Sequence, residues 1–124
     1  MSNVLLVDDD ADTVDMTKRF LKVHGIHVVG VGYDGKHAVE LCEKLHPDIM
    51  CLDLSMPIYD GFYTIEKIKT LGNRIKILVI TGNKDPESEA KLSTSNVTMV
   101  LHKPLNLDAL VKYIKGMDCE PLAA

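Results

Sequence analysis

A chain of 124 residues has room for one domain, and 46% hydrophobic with 26% charged residues is the balance of a globular fold around a single core. The net charge of −4 and the dispersed Lys and Arg residues supply no basic field, which argues against direct nucleic-acid binding. No apolar run approaches the roughly 20 residues that span a bilayer and the N-terminus carries no signal-peptide pattern, so the expectation is a cytoplasmic protein without membrane insertion.

Apolar runs at about 3–7, 26–31, 48–53, 75–80 and 97–101 read as strands, and the segments between them have helical period. Five such alternations predict an α/β fold: a doubly wound, five-stranded parallel sheet flanked by five helices. Asp10 and Asp12 open the first helix, where acids favour the dipole; Met16, Phe20 and Val23 are expected to form its core face, and Gly25 to close it. In the second helix Ala38, Leu41, Cys42 and Leu45 recur at i, i+3, i+4 and i+7. The third closes at Gly72. The fourth, about 86–94, starts at Asp85-Pro86 and offers only Ala90 and Leu92 as apolar candidates, so loose docking is expected. The fifth starts at Asn106 and carries the stripe Leu107, Leu110, Val111, Ile114. Residues 1–118 form the expected domain, and 119–124 a C-terminal tail or linker stub.

Four of these strands end in residues that can do chemistry: Asp8-Asp9, Asp53, Thr81 and Lys103-Pro104. In an open parallel sheet the carboxyl ends of the strands line one edge, where ligands of such folds bind. Three acids brought there repel by about 4 kcal/mol per pair at 4 Å and an effective dielectric of 20, so the cluster takes up a proton or a cation. Hard oxygen ligands that leave room for waters suit magnesium, which shares its shell with phosphate oxygens. With the Lys103 ammonium and the Thr81 hydroxyl, the set describes a pocket that accepts a phosphoryl group on Asp53.

Other signals weigh less. Gly30-Val31-Gly32-Tyr33-Asp34-Gly35 matches a dinucleotide fingerprint but follows the second strand, with its first glycine inside that strand. A second acid two residues past Asp53 would suggest a haloacid-dehalogenase-like phosphatase, but that position is Ser55. His24, His27, His37, His46 and His102 are dispersed, and Cys42, Cys51 and Cys119 are odd in number and lack metal-ligand spacing.

Asp8-Asp9, the segment Pro47 to Pro57 around Asp53 with Gly61 beyond it, Ile80-Thr81-Gly82 and Lys103-Pro104 together resemble the receiver domain of two-component response regulators over the whole chain. The resemblance implies a flavodoxin-like, chemotaxis-regulator-like fold with strand order 2-1-3-4-5. Asp53 would be the phosphoacceptor, with magnesium held by Asp8, Asp9, Asp53 and the backbone carbonyl of Ser55. Thr81, Gly82 and Lys103 would contact the phosphoryl group, and the Lys103-Pro104 bond would be cis. It further implies a phosphoprotein that is not an enzyme in the usual sense, though it assists its own phosphorylation and dephosphorylation. The donor would be a histidine kinase or histidine phosphotransfer domain, and the output a downstream protein target. The chain would act alone or as a part of a longer regulator. The alternative is a phosphorylation-independent interaction module on the same fold. Two positions depart from the pattern: Val100 stands where receivers carry a switching Tyr or Phe, and Asn96 replaces a common glycine.

Overall fold

The computed structural model describes residues 3–54, 61–70, 75–82, 86–95 and 97–118. In chain order they form β1 (Asn3–Val7), α1 (Ala11–Val23), β2 (His27–Gly32), α2 (Gly35–Leu45), β3 (Ile49–Asp53), α3 (Gly61–Thr70), β4 (Lys76–Thr81), α4 (Pro86–Thr94), β5 (Met99–His102) and α5 (Leu107–Asp118). All strands are parallel, in the order β2-β1-β3-β4-β5. This is the expected doubly wound sheet, with strand ends shifted by a residue or two.

Strand alternation divides the core into two layers. Leu5, Val7, Met50, Leu52, Ile77 and Val79 point to one face and meet Ala38 and Cys42 of α2, Ile65 and Ile68 of α3 and Leu92 of α4. Val4, Leu6, Ile49, Cys51 and Leu78 point to the other and meet Leu21 of α1 with Leu110, Val111, Ile114 and Met117 of α5. Both faces of the three inner strands are covered, which is why those strands read as unbroken apolar runs.

Caps follow local chemistry. Asp10 accepts the Asp12 N–H at 3.1 Å, Asp34 the His37 N–H at 2.7 Å and Asn106 the Ala109 N–H at 3.1 Å. Gly25, at φ +79°, turns the chain out of α1, and His46 takes the left-handed position after α2 at φ 47°. Gly72, Asp85 and the tail 119–124 lie outside the described residues.

One expectation is corrected. The buried residues of α1 are Val14, Thr17 and Leu21, while Met16 and Val23 are 57% and 82% exposed and Phe20 is half-buried. At about 100° per residue the Val14–Thr17–Leu21 face lies roughly a third of the way round the helix from the Met16–Phe20–Val23 stripe, so burying the first leaves Met16 and Val23 outside, with Phe20 at the edge. In α2 the stripe holds at Ala38, Leu41 and Cys42 but frays at Leu45, which is 37% exposed. In α4 only Leu92 is buried among the described side chains.

Candidate functional site

The register of the sheet assembles the site. Val7 lies opposite Leu52, so Asp8, just past β1, and Asp53, the last residue of β3, reach the same edge. Asp53 faces Ile80 across β4, and Thr81 at the end of β4 lies opposite His102, which Lys103 follows. Backbone bonds continue the pairing past the strands: Asp8 N–H to Gly32 carbonyl at 3.1 Å, Leu54 N–H to Ile80 carbonyl at 3.0 Å, and Lys103 N–H to Thr81 carbonyl at 2.9 Å. The Lys103–Pro104 peptide bond is cis.

Carboxylate oxygens of Asp8, Asp9 and Asp53 all lie within 4.8 Å of one another, the one such group of potential metal ligands among the described residues. Asp53 is 3% exposed, and the Lys103 ammonium stands 3.5 Å from its Oδ1. Asp8 is half-buried and Asp9 exposed. Burial is the main cause that pushes the Asp8 carboxyl up to about 6; the nearby Asp53 charge adds to it. Two groups oppose the rise: the Asp10 N–H, which donates to Asp8 Oδ1 at 3.0 Å, and the Lys103 ammonium. Asp10 itself is an exposed cap, its carboxyl held below the usual range chiefly by the Thr13 hydroxyl at 2.7 Å. Three hard oxygens converging on one point, with an open side at Asp9, form a donor set that fits a small divalent cation retaining some of its waters.

Thr81 is fully buried and Gly82 exposed at the rim, where a Cβ would sit 3.7 Å from Lys103 Cβ and Cδ. Ser55 and Asn83 lie outside the described residues, as does Asn96. Gly61 has a structural role that spacing alone did not reveal. A Cβ there would lie 2.8 Å from Leu54 Cα and 3.2 Å from the Asp53 carbonyl, and its N–H donates to the Leu54 carbonyl at 3.0 Å, so α3 starts against the backbone that carries Asp53. Sequence reasoning also missed a cavity of about 320 Å³ beside the acids, reached by Asp8 and Lys103 and walled by Met16, Cys51, Leu105 and Leu107. Its walls come from distant segments, so no local pattern announces it.

The remaining motifs are structural. Gly30 and Gly32 belong to edge strand β2, where a Cβ would meet Leu45 Cδ1 at 2.8 Å or the Ala38 backbone at 3.4 Å; they let α2 lie close to the strand. Cys42 and Cys51 are free, buried thiols on opposite faces of the sheet, and burial pushes both up to about 12. His24 donates from Nδ1 to the Phe20 carbonyl at 2.9 Å and stacks on the Phe20 ring at 4.5 Å. His102 is exposed.

The family model described as the response regulator receiver domain matches residues 4–115. The chain is 27% identical to the transcriptional regulatory protein PrrA of Mycobacterium leprae, over 92% of this chain and 48% of PrrA. It is 29% identical to the response regulator protein GraR of Staphylococcus epidermidis, over 92% of this chain and 50% of GraR. The chain therefore spans about half the length of these curated relatives. Among solved structures, the chemotaxis protein CheY4 of Vibrio cholerae is 27% identical, with a TM-score of 0.84 covering 94% of this chain and 98% of CheY4.

Proposed function

The chain belongs to the receiver domain family of two-component response regulators, and from that we propose that Asp53 is a phosphoacceptor and that its phosphorylation alters partner binding. The observation that carries this reading is a carboxylate only 3% exposed, with an ammonium 3.5 Å from one oxygen and two further carboxylates close by.

A carboxylate so placed can only act as a nucleophile if charge on the incoming group is neutralised. An Asp53 oxygen forms the new P–O bond as the P–N bond to the donor's phosphohistidine breaks, and the imidazole leaves neutral once protonated. Lys103 holds a positive charge against the oxygens that gain density, and the Thr81 hydroxyl and the Gly82 backbone offer hydrogen bonds to them. Asp8, Asp9 and Asp53, with the Ser55 carbonyl expected from the family, would hold magnesium, which supplies further neutralisation of phosphoryl oxygens. Asp8 must be ionised to serve, so its raised pKa makes the site weaker below about pH 6. Hydrolysis of the acyl phosphate by water resets the site.

The donor is a histidine kinase or histidine phosphotransfer domain, the setting the cytoplasm, and the output a protein target. No helix among the described residues is long and apolar enough to cross a membrane. Acetyl phosphate with magnesium should add one base-labile phosphoryl group, read by mass spectrometry, and Asp53→Asn should abolish it. Undiminished labelling of the Asn variant would remove Asp53 from the role. A parent chain that takes no label from acetyl phosphate or a phosphohistidine donor would leave the phosphorylation-independent interaction module instead.

A further inference from the structure

The cavity of about 320 Å³ beside the acids has the size and lining of a small-molecule site. Leu6 and Cys51, opposite each other in β1 and β3, form its floor, and Val14 of α1 and Leu107 of α5 close its sides. An apolar cavity of about 150 Å³ takes one benzene, so about twice that volume takes a bicyclic ring with a short chain.

Two polar features set what else an occupant carries. Inside, Thr17 lines the cavity and is 5% exposed, and its hydroxyl has no hydrogen-bond partner among the described residues. The oxygen is not sealed in the interior, so the cavity is where a partner can meet it. At the mouth, Asp8 lines the cavity with Asp9, Asp10 and Asp53 close by, against the ammonium of Lys103, which already stands 3.5 Å from Asp53 Oδ1. The surplus of charge is negative, which turns a carboxylate away and draws a cation in. We propose that this cavity binds a small apolar amine, with its ring system over Leu6 and Cys51, one hydrogen bond to the Thr17 hydroxyl and its ammonium at the Asp8 carboxylate. A divalent cation held by Asp8, Asp9 and Asp53 competes for the same carboxylate, so the amine and magnesium weaken each other's binding reciprocally. The proposal does not depend on phosphorylation of Asp53.

Tryptamine is the probe: a bicyclic ring with one N–H and an ammonium on a short arm. Titration calorimetry of the full chain without metal should give a dissociation constant between about 10 μM and about 1 mM, the range open to a ligand of about a dozen heavy atoms, with indole-3-propionate and propylamine each weaker by about tenfold or more. The amides of Val14, Thr17, Cys51 and Leu107 should shift in NMR spectra during the titration. Thr17→Val, which keeps the shape and removes the hydroxyl, should weaken binding about three- to tenfold. Cys51→Leu grows into the cavity, and Leu107→Trp narrows it from a half-buried wall where folding is less at risk; each should weaken binding by about tenfold or more. Circular dichroism confirms that each variant is folded, and saturating magnesium should weaken tryptamine binding to the parent several-fold. The proposal is overturned by no binding up to about 10 mM tryptamine, by propylamine binding as tightly, which would leave only the open acids as a cation site, or by indole-3-propionate binding as tightly. Shifts confined to Asp8–Asp10, an affinity that ignores all three substitutions, or one that ignores magnesium would overturn it as well.

Discussion

Replacing Asp8 by Asn removes a charge that the fold pays to keep, and the effect should have a defined pH window. The Asp8 carboxyl sits at about 6 in the folded chain against an ordinary value of 3.8, mainly because it is half-buried and next because Asp53 is close. Between those values the folded protein holds a proton that the unfolded chain has released. Stability therefore falls as pH rises from about 4 to about 6, and the deficit is complete above that. A shift of about two units corresponds to about 3 kcal/mol, and the partial exposure of Asp8 with solvent screening reduces this to about 1–2 kcal/mol. An amide at position 8 keeps an oxygen for the Asp10 N–H, so little else changes. Urea unfolding of parent and Asp8→Asn, without metal, should show near-equal stability around pH 4 and an advantage of about 1–2 kcal/mol for the variant at neutral pH, roughly 5 °C in Tm for a domain of this size. Magnesium should raise the Tm of the parent at neutral pH more than that of the variant, since the metal binds only the folded acids. A stability difference that is flat across the window, or a variant less stable than the parent at neutral pH, would refute the reasoning.

Gly61→Ala places a methyl 2.8 Å from Leu54 Cα, where backbone must move, so a loss of about 2–3 kcal/mol is expected in denaturant titration; a neutral result would show that α3 can slide on β3. His46→Gly relieves a left-handed backbone position and should stabilise by about 0.5–1 kcal/mol in the same assay, with a loss counting against strain at that residue. Val100 is half-buried against the α4 side of the core and too small and stiff to trade buried and exposed positions as an aromatic can. Beryllofluoride with magnesium, a phosphoryl mimic, should thus alter amide exchange in Pro86–Thr94 more than in Met99–Leu101, and the opposite ranking would refute that.

Much of the fold was legible because its signals are local. Continuous apolar strands announce a sheet covered on both faces, and Asp10, Asp34 and Asn106 cap their helices through side chains within three residues of the N–H groups they bind. The acids, Thr81 and Lys103 could be placed at one edge because each ends a strand, and parallel strands share their carboxyl edge. The tertiary structure decided what depends on facing elements. Periodicity shows that α1 has an apolar stripe but not which of its two candidate faces the sheet accepts; in the folded chain Val14, Thr17 and Leu21 are buried and Met16 and Val23 are left outside. The Asp8 carboxyl rises because of its burial and of Asp53, 45 positions away in sequence, and neither desolvation nor a through-space charge is written in neighbouring residues. Gly61 is required by the Leu54 backbone lying 2.8 Å from where its Cβ would be, a contact that exists only once α3 has folded back onto the end of β3.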